Sequence, residues 1–137
     1  MNQTGCIKYG HVAETALPYG AAIERVRELL KEQGFGVLCE IDVAKTLREK
    51  IGAAFRPYVI LGACNPNLAN RALSAEAQLG LLLPCNVVVQ ELDGRTVVSA
   101  IDAQAMLGIV GNANMAPIAD EANAALARVI EGIAKAT

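Results

Sequence analysis

The chain reads as an α+β domain: an open, largely antiparallel sheet with helices packed on one side. Three observations carry this reading. The element order is strand, helix, four strands with two short helices inserted, then a helix, which is not the strict strand–helix alternation of a parallel sheet. Asp93-Gly94 lies between two strand-like runs and suits a type I′ hairpin, whose turn needs positive φ at both positions. Long helical stripes of apolar residues lie outside the block of strands. Residues 1–137 are expected to form one domain, long enough to bury a core without metals or disulfides.

Taken in order, the first strand runs from about Cys6 to Val12. Pro18 suits the first turn of a helix, where a missing N–H costs nothing. Ala22, Ile23, Val26, Leu29 and Leu30 recur at helical spacing behind it, and Gly34 ends it as a residue able to take positive φ. Phe35 to Ile41 is a strand. Asp42 caps a short helix with Ala44, Leu47 and Ile51 on one face, closed by Gly52. Pro57 to Cys64 is an apolar, branched run of the kind buried in a sheet centre. Asn65 caps and Pro66 opens another helix, with Leu68, Ala69, Ala72 and Leu73 inward. Pro84 cannot donate to a ladder and so stands at a strand's start, and that strand continues to Leu92. Thr96 to Ile101 returns as the last strand. After a turn around Gly108, Gly111 and Asn112, Asn114 is expected to cap a long final helix with Ile118, Ala122, Ala125, Leu126, Val129 and Ile133 as its stripe. Only Ala134 to Thr137 read as a loose end.

Composition narrows the function classes. Hydrophobic residues make up 53% of the chain and aromatics 4%, so stacking platforms for bases or sugars are not expected. Twelve basic against fourteen acidic residues give a net charge of −2, without the basic excess that drives binding to nucleic acid. No apolar run approaches the roughly 20 residues of a membrane span, and the N-terminal segment has no apolar core of signal-peptide length. A cytoplasmic protein with reduced thiols at Cys6, Cys39, Cys64 and Cys85 is expected. The mean hydropathy of +0.34 is high, and the strands are apolar on both faces: Val87 and Val89 point one way, Val88 and Leu92 the other. Two long helices cannot cover both sides. A homodimer with a two-fold interface on the open face is therefore expected; the alternative is that the short helices wrap round and cover it.

Three segments in register carry a resemblance. They are Gly34-Phe35-Gly36-Val37-Leu38 with Glu40-Ile41-Asp42-Val43, then Ile60-Leu61-Gly62-Ala63-Cys64-Asn65-Pro66, then Gly80-Leu81-Leu82-Leu83-Pro84-Cys85-Asn86-Val87-Val88-Val89. Together they resemble domain-of-unknown-function family 302, over about 110 residues. The resemblance implies a β-α-β(4)-α two-layer sandwich like that of TATA-binding protein, in a bacterial or archaeal protein. It implies no activity, cofactor or catalytic residue; what it carries over is the motif, onto Cys64, Asn65, Pro66, Pro84, Cys85 and Asn86. The chain departs from the family pattern at Ala103, where proline is frequent, and Cys39 falls where the family requires no thiol.

Those six residues form the candidate ligand-binding or redox site. If the Pro57–Cys64 and Pro84–Leu92 strands pair antiparallel, the end of one meets the start of the other, and Cys64 and Cys85 become neighbours. Cys64 would precede a helix N-terminus, which favours thiolate. Two such thiols suit reversible oxidation or soft-metal capture; the plainer expectation, which is preferred, is that each serves as a small buried hydrophobe. Asn65 suits a helix cap and Asn86 a loop tie, with ligand binding by either amide as the alternative. His11, the sole histidine, reads as a partly exposed strand-end residue. The basic cluster Lys45, Arg48, Lys50 and Arg56 reads as a solvated face. No complete acid–base–nucleophile set is present. Two functions follow: a non-catalytic small-ligand-binding or accessory homodimer, or a thiol-based redox or soft-metal protein using Cys64 and Cys85.

Overall fold

The computed structural model describes residues 5–137. Its strands are β1 (Gly5–Ile7), β2 (Gly10–Thr15), β3 (Gly36–Asp42), β4 (Tyr58–Cys64), β5 (Cys85–Leu92) and β6 (Arg95–Ile101), and its helices α1 (Tyr19–Glu32), α2 (Val43–Ile51), α3 (Pro66–Ala75), α4 (Ala103–Gly108) and α5 (Ala116–Ala134). All neighbouring strands are antiparallel, in the order β1-β2-β6-β5-β4-β3. Helices α1 and α5 pack on the sheet and on each other. The architecture is the α+β sandwich expected, with a sixth, three-residue strand at one edge.

Local chemistry explains most boundaries. Gly34 takes φ +82°, and its N–H and that of Phe35 bond back to Lys31 and Leu30 carbonyls at 3.0 and 2.9 Å, closing α1 in a Schellman motif. Asp42 Oδ1 accepts the Lys45 N–H at 2.9 Å and caps α2. Asp93 and Gly94 have φ of 54° and 77°, as the type I′ hairpin between β5 and β6 requires.

Register sorts the side chains into two faces. Ala13, Val98, Val89 and Val59 form one row across the inner, helix-covered face; His11, Ala100, Val87 and Leu61 form the next. Except for half-buried His11 these residues are buried in the core, with Val26, Leu30, Leu126 and Ile133 from the helices. On the outer face Val12, Ser99, Val88, Ile60 and Ile41 lie in a row. Between Val37 and Cys39 the β3–β4 ladder shifts register through a bulge.

Five expectations change. The first strand is a hairpin rather than one run from Cys6 to Val12, because the chain reverses at exposed Lys8 and Tyr9, where nothing favours burial. Gly10 then sits so close to β6 that a Cβ would lie 2.9 Å from the Ala100 carbonyl oxygen. Asn114 does not cap the final helix: Asn112 Oδ1 takes its N–H at 3.0 Å in a 3-10 turn (Ala113–Met115), and α5 begins at Ala116. Helix α4 precedes the turn around Gly108, Gly111 and Asn112 and is an element the sequence reading does not include; Asp102 Oδ1 caps it through the Gln104 and Ala105 N–H groups. On α2, Ala44 and Leu47 are only half-buried and Ile51 is 73% exposed. The C-terminal residues are tied down, with Thr15 Oγ1 donating to the Ala136 carbonyl at 3.4 Å. Among the described residues, no helix is long and apolar enough to cross a membrane.

Candidate functional site

At one rim of the sheet, β4 ends and β5 begins. Cys85 pairs with Ala63, so Cys64 is one residue from the direct partner of Cys85, and both thiols reach the same end of the sheet. Beyond this rim lies a cavity of about 400 Å³. Helix α3 supplies one wall through Leu68, Ala69, Ala72 and Leu73. Met106 and Leu107 of α4, with Ile118 and Ala122 of α5, supply another, and Leu79 of a 3-10 segment (Ala77–Leu82) closes a third side. Leu79 and Leu107 are buried, whereas Leu38 and Leu73 are 70% and 41% exposed, so the cavity opens to the surface on their side.

Of the six residues singled out, Cys64, Asn65, Pro84 and Cys85 line this cavity. Pro66 does not; it is exposed in the first turn of α3, where its ring opens the helix. Asn86 does not either. It pairs with Gly62 on the outer face and is exposed, because strand alternation turns it away from its neighbour Cys85. Cys39, given little weight in the sequence, lines the cavity as well. It pairs with Gly62 across the β3–β4 ladder, and a Cβ on Gly62 would lie 2.5 Å from Cys39 Sγ and 2.8 Å from Pro84 Cγ. Only glycine lets both side chains close over that backbone. The Leu83–Pro84 peptide is cis.

The chemistry of the lining is nearly uniform. Among the described residues, no charged side chain lines the cavity, and Asn65 contributes its one amide. Asn65 Oδ1 accepts the Leu68 N–H at 3.2 Å and caps α3, as expected. Burial pushes the Cys85 thiol up to about 11, with the nearby Cys64 adding to the rise; near neutral pH it is therefore a protonated, apolar-like group and not a nucleophile. Cys39, Cys64 and Cys85 are all free thiols. Among the described residues, no three His, Cys, Asp or Glu side chains gather as metal ligands.

The cavity walls that sequence reasoning missed are Leu79, Met106 and Leu107, which lie in segments without a clear period. The available signals were the Asp102 cap and the apolar run from Leu79 to Leu83. His11 is half-buried near a strand end, as expected, and it also has partners that the sequence does not indicate. It sits within β2 on the helix-covered face, its Nε2 2.9 Å from Asn123 Oδ1 on α5 and 4.0 Å from Asp102 Oδ2. Asn123 Oδ1 also accepts the Ala103 N–H at 3.0 Å, so this cluster fastens α4 and α5 to the sheet.

The profile of the domain of unknown function DUF302 matches residues 11–133. The crystal structure of an uncharacterized conserved protein DUF302 from Bacillus stearothermophilus is similar to this one, with a TM-score of 0.85 and 31% sequence identity over 90% of this chain and 97% of that chain. No curated protein matches the chain. A match across nearly all of the sheet and helices, joined to the shared architecture, places the chain in the DUF302 family, a domain of unknown function.

Proposed function

We propose that this protein is a non-catalytic small-molecule-binding domain of the cytoplasm, working as a homodimer. The observation that supports the binding role is the cavity itself. Its roughly 400 Å³ falls within the range of small-ligand sites, and its walls are almost wholly hydrocarbon. The free thiols suit a reducing compartment. The half-buried Val88 and Ile60 and the exposed Ile41, in a row on the outer face, support the homodimer, with a two-fold axis that would bury them against their copies.

Binding is tested with an environment-sensitive uncharged dye such as prodan. The dye should brighten on entering the cavity, and Ala69→Phe, which fills it, should abolish the response while leaving the fold intact. No brightening, or brightening unchanged in the filled variant, would overturn the binding role. Gel filtration at low concentration tests the dimer, which an unambiguous monomer would remove.

The adjacency of Cys64 and Cys85 supports a second reading, thiol chemistry at this rim. The two thiols would pass two electrons and two protons to a disulfide acceptor and form their own disulfide, or would hold a soft metal ion. With Cys85 protonated near neutral pH, Cys64 is the attacking group. This reading predicts rapid alkylation of Cys64 at neutral pH; inert thiols and the lack of any copurifying metal would eliminate it.

A further inference from the structure

The cavity's chemistry narrows what it can hold, and the narrowing rests on the small-ligand reading above. We propose that the ligand is an uncharged, largely hydrocarbon molecule carrying one hydrogen-bond acceptor, and that Asn65 Nδ2 engages that acceptor.

The first part follows from charge. Among the described residues, no Lys, Arg, His, Asp or Glu lines the cavity. A carboxylate, phosphate or ammonium drawn into it would lose water and gain no opposite charge, which disfavours it strongly. The nearest groove with cations lies along α3 and α5. There Arg71 already bonds Glu121 at 2.6 Å and Arg128 bonds Gln33 at 2.7 Å. Of the basic cluster Lys45, Arg48, Lys50 and Arg56, none reaches the cavity, and Arg56 is bonded to Gln90 at 2.9 Å.

The second part follows from Asn65. No hydroxyl-bearing side chain lines the cavity among the described residues, and thiols are weak donors, so the Asn65 amide is the strong side-chain donor in the lining. Its orientation is defined by the cap: the atom 3.2 Å from the Leu68 N–H must be the carbonyl oxygen, because the backbone group only donates. The opposite end of the amide is therefore Nδ2. It lies beside Gly34, where a Cβ would approach it to 3.1 Å, at the boundary between the cavity and the α3–α5 groove, both of which Asn65 lines. The cap bond holds the donor in place before any ligand arrives, which reduces the entropy lost on binding.

The test uses three probes of one shape: acetylnaphthalene, ethylnaphthalene and naphthoate, titrated into the full chain by NMR. Acetylnaphthalene should bind roughly five- to tenfold more tightly than ethylnaphthalene, the increment of one ordinary hydrogen bond, and should move the Asn65 side-chain amide resonances. Naphthoate should show no saturable binding. In Asn65→Asp the carboxylate still accepts the Leu68 N–H, so the helix stays capped while the donor is lost; the preference for the ketone should fall to within about twofold. Asn65→Gly, which is tolerated at the N-cap at little cost and has no side-chain donor, gives the same reading should the aspartate variant misfold. Equal affinity of ketone and hydrocarbon, or a preference unchanged in both variants, would overturn the anchor. Naphthoate binding as tightly as the ketone would overturn the uncharged ligand. If none of the three binds, the small-ligand reading falls and the inference with it.

Discussion

One residue step along β5 separates two different environments. Val87 and Val89 are 0% exposed beneath the helices, while Val88 between them is half-buried on the outer face. The inner rows are hydrocarbon apart from His11 at the end of one. The outer face interleaves Ser99, Gln90 and Asn86 among its valines and isoleucines. Burial is deepest on the inner face; on the outer face Val12 and Val97 are buried, while Val88, Ile60 and Ile41 remain within reach of contact.

The sharpest way to break this comparison is to place one charge on each face. Val89→Asp buries an unpaired carboxylate and should cost more than about 4 kcal/mol, enough to unfold a domain of this size. Val88→Asp should stay within about 1 kcal/mol of the parent in urea unfolding and, if the outer face is the dimer seam, should yield monomers. Similar losses for both variants would erase the distinction.

The thiols extend the comparison to pH. Cys85 is on the inner face and its pKa is raised from 9.0 to about 11. A folded value above the unfolded one means that the native state holds the proton longer. This contribution is therefore complete below pH 9 and is lost as pH rises through about 11. Up to about 3 kcal/mol of stability should disappear across that window, and Cys85→Ala should flatten the decline. Cys39, exposed on the edge strand, should be alkylated faster than Cys85 at neutral pH. Mass spectrometry of a timed reaction decides the order.

Gly62→Ala acts on the outer side of the same rim. Its methyl would meet Cys39 Sγ and the Pro84 ring; the sulfur can swing aside more easily than the ring, and a loss of about 1–3 kcal/mol is expected in urea unfolding. The smallest effect is expected at Arg56, which lies over the Phe55 and Tyr58 rings at 4.6 and 5.5 Å. Arg56→Ala should lower stability by less than about 1 kcal/mol.

Legibility in the sequence followed the strength of local signals. The Asp93-Gly94 hairpin, the Gly34 and Gly52 helix ends and the Asn65 cap were readable because each residue has a conformational or hydrogen-bonding property that few others share. The placing of Cys64 and Cys85 at one end of the sheet followed once their strands were paired. Asn86 was misplaced because a motif in one dimension ignores strand alternation, which sends neighbours to opposite faces. Met106 and Leu107 were missed because a six-residue helix shows too little period to stand out. The bonding of His11 was missed because its partner Asn123 lies 112 residues away, and no local pattern announces such a bond.

The bulge between Val37 and Cys39 has a wider meaning because β3 is a margin of the sheet. A broken ladder there makes a poor template for a foreign strand. Growth of the sheet into ribbons or fibrils is thereby discouraged at that end.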